Sequence, residues 1–87
     1  MIKNKEAILQ KIDKITDVFY QNRAEEGIKE LPQLISELTE ISAEISREKQ
    51  GRFTNILKNL MESMTQQDYV LMADILVFEM KDLLQED

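Results

Sequence analysis

Apolar residues recur every three or four positions along almost the whole chain, and the strict alternation of a half-buried strand is absent. The pattern predicts an all-α fold of four helical segments. The first, about 4–21, lines up Ile8, Ile12, Ile15 and Phe19, with Lys5, Lys11, Lys14 and Asp17 off that stripe. Asn22 reads as the stop of this helix and the cap of the next, since Glu25 stands three residues on, as a capping box needs. The second segment, about 23–48, carries Ile28, Leu31, Leu34, Ile35, Leu38, Ile41 and Ile45 inward and Glu37, Glu40, Glu44 and Glu48 outward. Pro32 removes a backbone donor inside it, at a cost of about 3 kcal/mol. A straight helix over that range would also be about 39 Å long, against about 20–27 Å for the others. A kink near Gly27–Pro32 answers both problems and leaves 33–48 as a rod of matching length. Gly51 is expected to end this helix. The third segment, about 53–66, presents Phe53, Ile56, Leu57, Leu60, Met61 and Met64, and Asp68 is placed to cap the fourth, about 69–85. Connections this short imply an antiparallel up-and-down bundle, one domain over 1–87.

The fourth segment departs from the others. Twelve of its seventeen residues are apolar, more than one core face requires. Tyr69, Met72, Leu76, Met80 and Leu83 form a broad stripe that Val70, Val77 and Leu84 extend on one side. Leu71, Ile75 and Phe78 form a second stripe rotated away from it. A bundle helix is not surrounded on every side, so the second stripe calls for a cover. Either it is a contact surface, or the kinked second segment folds across it. We expect the contact surface, with Leu71, Ile75 and Phe78 as anchors and Tyr69 and Glu79 on the rim. Glu79, on an apolar flank, would then need water or a cation such as Arg47 or Arg52. Asp74 reads as an ordinary solvated residue, and Met61, Met64, Met72 and Met80 read as core filling before adaptable surface.

Composition narrows the function. The net charge is −6, carried mainly by residues 22–87. Such a chain would repel nucleic acid and anionic lipid, both of which need clustered Lys and Arg. Histidine and cysteine are both absent. That removes disulfides and the usual zinc ligands, along with the residue most often used for acid–base work and the His-dependent triads. Gly27 and Gly51 are isolated, so no phosphate-cradling loop exists. Neither a calcium loop of alternating Asp and Asn nor a Glu-x-x-His metal pair is present. These observations predict a protein with no cofactor, no metal, no small-molecule substrate and no catalytic activity. The longest uncharged run, Leu31–Ser36, is far too short to span a bilayer, and no signal peptide is evident. Cytoplasm is the expected location.

Two strings resemble a family of small, uncharacterised helical proteins of Gram-positive bacteria: Gly27-Ile-Lys-Glu-Leu-Pro-Gln-Leu-Ile35 and Asp68-Tyr-Val-Leu-Met-Ala-Asp-Ile-Leu-Val-Phe-Glu-Met80. Phe78 stands where the resemblance implies tyrosine, so any contact made there lacks the hydroxyl. In shape and size the chain is also similar to the helical export chaperones of bacterial flagellar systems, which hold a helical client segment in an apolar groove. The resemblance carries no activity over. The resulting expectation is a protein–protein contact module that forms a homodimer or binds an amphipathic helix of a client. The alternative is a small acidic regulator that sequesters a basic protein through its Glu-rich face.

Overall fold

The computed structural model describes Ile2 and residues 4–87. Four helices follow one another with short connections: α1 (Lys5–Tyr20), α2 (Ala24–Ile41), α3 (Arg47–Thr65) and α4 (residues 69–86). No strand occurs among the described residues, and the architecture is an all-α bundle. α1 lies against both α2 and α4, and α4 against α3, whereas α2 and α3 approach each other far less closely. All four predicted stripes meet in one core. Ile12, Ile15, Leu34, Leu38, Leu60, Leu76, Met80 and Leu83 are fully buried there, and Phe19 and Phe53 nearly so. Every buried side-chain nitrogen or oxygen among the described residues has a partner: Thr16 donates to the Asp13 carbonyl and Ser63 to that of Leu60. The accessible surface of 5441 Å² is close to the roughly 5,300 Å² expected of a compact monomer of this mass. The chain therefore folds without gross excess surface. No helix is long and apolar enough to cross a membrane, among the described residues.

Two of the turns share one device. Asn22 (φ 60°) and Gln67 (φ 57°) adopt the left-handed conformation that closes α1 and α3. In each, the next amide reaches back to the third-last helical carbonyl: Arg23 N–H to Val18 at 2.8 Å and Asp68 N–H to Ser63 at 3.0 Å. Asn22 is thus a stop for α1 only. The expected capping box with Glu25 does not form, since Arg23 occupies the cap position of α2 and no side chain caps that helix. Asp68 does cap α4, accepting from the Leu71 amide at 3.0 Å.

The second segment ends in a break that its apolar spacing does not announce. α2 runs continuously through Gly27 to Ile41, with Pro32 inside the helix. The chain breaks at a 3₁₀ turn, Ser42–Glu44, followed by extended Ile45 (φ −69°, ψ 137°). Ile41 and Ile45 are both buried, so the apolar spacing continues across the break and hides it from a periodicity reading. The length mismatch is resolved at this C-terminal break.

Gly51 does not end a helix either. It lies in the second turn of α3, exposed, with nothing within 4 Å of where a Cβ would stand. Gly51→Ala should therefore raise stability by about 1 kcal/mol, since alanine loses less backbone entropy in a helix and meets no neighbour. A rise in urea midpoint with an unchanged slope is the expected measurement.

α4 contains the largest local departure. Tyr69–Asp74 is α-helical, Ile75–Met80 is π-helical, and Lys81–Glu86 returns to α-helix. Wider i→i+5 turns change the rotation per residue and so re-aim the side chains of this stretch relative to an α-helix. Met72, Ala73, Ile75, Leu76, Met80, Leu83 and Leu84 are all buried. Much of the apolar excess seen in the sequence is absorbed here.

Candidate functional site

The five side chains singled out on the fourth segment do not stay together. Ile75 is 4% exposed and belongs to the core, packed with α4's other inward residues. Tyr69 is half-buried, its ring 5.8 Å from that of Phe19 and tilted by 32°, which ties the start of α4 to the end of α1. Leu71 and Phe78 face outward, 40% and 71% exposed, and Val70 joins them at 55%. Glu79 is exposed and makes no ion pair among the described residues. The candidate Arg52 is taken by Asp82 and Glu86, at 3.5 and 3.1 Å. α2 lies diagonally across the bundle and does not cover the outward face of α4. The apolar surface that remains is Val70, Leu71 and Phe78, with Glu79 beside it.

The border of this face on the α1 side was not legible in the sequence. Tyr20 Oη donates to Asp74 Oδ1 at 2.5 Å, with the Tyr20 ring itself left half-exposed. The bond to a carboxylate, with smaller contributions from burial and from the charge of Asp74, pushes the Tyr20 hydroxyl up to about 12, so it remains a donor. Asp74 is consequently a structural acceptor between helices. About two turns further along, Lys81 reaches Asp13 at 2.7 Å. These two links span 54 and 68 residues of chain, which is why spacing alone could not propose them.

A second apolar region follows the open seam between α2 and α3. Ala24, Ile35, Leu57 and Met64 pack partly on the core from its two lips, and Ile28 and Met61 remain exposed. The other three seams are bridged by charged or polar pairs, among them Lys11–Glu37 and Lys14–Glu30 between α1 and α2. No such pair joins α2 to α3 among the described residues. A shallow groove along α3, lined by Thr54, Leu57, Lys58, Met61, Glu62 and Thr65, borders this seam. Of the four methionines on α3 and α4, Met72 and Met80 are core, Met64 is intermediate and Met61 is surface.

The acidic row read as a continuous outer face is divided. Glu37 turns toward α1 to hold Lys11, Glu40 stays exposed on α2, and Glu44 and Glu48 lie beyond the end of that helix. Among the described residues, no three acidic side chains converge closely enough to hold a metal ion.

Neither a curated protein nor a solved structure matches this chain. The family comparison does find a match, over residues 3–86, to a domain of unknown function (DUF8042). The chain belongs to that DUF8042 family of uncharacterised domains.

Proposed function

We propose that this protein is a non-catalytic contact module that binds another protein chain through the outward face of α4. The reading rests on one observation: Phe78, the largest of the outward side chains of α4, stands 71% exposed about two turns along the helix from exposed Val70 and Leu71. Scattered apolar residues on a surface need no explanation, but three grouped on one helix face form the kind of patch that binding covers. An aromatic side chain with two aliphatic neighbours also suits the anchor role, because it contributes a large contact area at low conformational cost. The side-chain inventory supports the absence of catalysis, since neither histidine nor cysteine is present. In this reading the protein covers an apolar segment of its partner, as the helical export chaperones of flagellar systems do. The acidic-regulator alternative has lost its continuous Glu row, so the apolar face is the stronger geometry.

The test is Phe78→Asp. The variant should fold as before, and its elution and light-scattering mass, or its recovery of partner from native lysate, should change relative to the parent chain. Retention of both assembly and partner by a folded Phe78→Asp protein would refute the assignment.

A further inference from the structure

The outward face of α4 carries a charge pattern as well as an apolar one. Val70, Asp74, Phe78 and Asp82 follow one another at four-residue spacing, so carboxylates bracket Phe78 along its own helix. Two cations border the face, and both are already held within the chain, Lys81 by Asp13 and Arg52 by Asp82 and Glu86. Asp17, one turn beyond Asp13 on α1, and Glu79 on α4 are exposed and have no cation of their own. An exposed aromatic ring thus sits in a negative frame whose neighbouring positive charges are committed.

Resting on the contact-surface reading above, we infer that the occupant of this face is an amphipathic helix of another protein, its apolar stripe edged by lysine or arginine. A second copy of this chain would set carboxylates against carboxylates across a two-fold axis, and like charges juxtaposed in an interface oppose association. A basic helix resolves both features together. Its apolar side chains cover Phe78, Leu71 and Val70, and its cations meet Asp17 and Glu79, the carboxylates that no cation of this chain holds. The acidic frame also speeds encounter with such a partner at low salt.

The full chain can be titrated calorimetrically with three synthetic helices of about five turns. Each has leucine on one face and lysine, glutamine or glutamate on the other. The lysine helix should bind at least about tenfold more tightly than the glutamine helix, and the glutamate helix should not bind. Phe78→Asp should abolish binding of the lysine helix, and Asp17→Lys combined with Glu79→Lys should remove its advantage over glutamine. Glu40→Lys, on the diagonal helix α2, should change little. Equal affinity for the lysine and glutamine helices overturns the basic edge while leaving the contact surface intact. A lysine helix that binds Phe78→Asp as well as the parent overturns the site and the contact-surface reading with it, as does a monomeric chain that binds none of the three. A parent dimer that becomes monomeric in Phe78→Asp assigns the face to a second copy and overturns this occupant.

Discussion

Ile75→Asp should unfold this protein, whereas Phe78→Asp, three residues further along the same helix, should leave it folded. Ile75 is 4% exposed among the inward residues of α4 and Phe78 is 71% exposed. Truncating a buried isoleucine to alanine costs about 2–5 kcal/mol, and burying an unpaired carboxylate adds to that. A chain of this length has about 4–13 kcal/mol of stability in total, so Ile75→Asp removes most or all of it. Its helical circular dichroism should collapse at room temperature, or its urea transition should move to very low concentration. Ile75→Ala, the milder change, should still unfold cooperatively with a clearly lower midpoint. Phe78→Asp, by contrast, exchanges one exposed side chain for another and should stay within about 0.5 kcal/mol of the parent. A parent-like midpoint for Ile75→Asp would mean that the π-helical rotation of α4 is wrong, and the assignment of the outward face with it.

The second large effect concerns Gly27, where α2 crosses the end of α1. A Cβ built at Gly27 would stand 2.5 Å from Phe19 Cε1, 2.9 Å from Cδ1 and 3.0 Å from Cζ. Phe19 is nearly fully buried and also meets the Tyr69 ring, so it has little room to retreat. Alanine in place of glycine would gain about 1 kcal/mol of helix propensity, while overpacking a tight core contact costs about 1–3 kcal/mol. The overlap with three ring atoms puts this position toward the upper end, and Gly27→Ala should destabilise by about 1–2 kcal/mol. Gly27→Val, larger and β-branched, should do worse. Phe19→Leu removes ring volume and should partly rescue Gly27→Ala, so the double mutant loses less than the sum of the two single losses. Urea unfolding of the four proteins measures that coupling; simple additivity would mean that the ring is not the obstacle. The opposite sign expected for Gly51→Ala makes the comparison sharper. The two glycines are chemically identical helix residues, and only their neighbours differ.

These contrasts separate what each level of structure contributes. The alignment of Ile8, Ile12, Ile15 and Phe19 in α1, and of Phe53, Ile56 and Leu60 in α3, follows from local spacing, and every one of those side chains is buried. The Asp68 cap was equally local, since it needs only a carboxylate three residues before an amide. The candidate face was half legible. An apolar excess on the last segment is a property of the string, and Phe78 and Leu71 do remain outside. Whether Ile75 or Val70 joins them depends on the hydrogen-bond register of α4, which the string does not carry. Tyr20, which borders the face from α1, offered no signal at all beyond being a tyrosine near the end of a helix.

The sequence by itself determined that this is an all-helical chain with four apolar stripes, short connections and an acidic exterior, because helix periodicity and charge are written residue by residue. Only the tertiary structure decided where α2 stops, why Gly27 must be glycine, and which of α4's apolar residues reach solvent. Those answers depend on what stands opposite each residue: the Phe19 ring against Gly27, α1 against Asp74 and Lys81, α3 against Asp82. The physical reason is that an apolar side chain gains from leaving water whichever neighbour covers it. Its pattern therefore predicts that it will be covered, while the packing of the whole bundle selects by what.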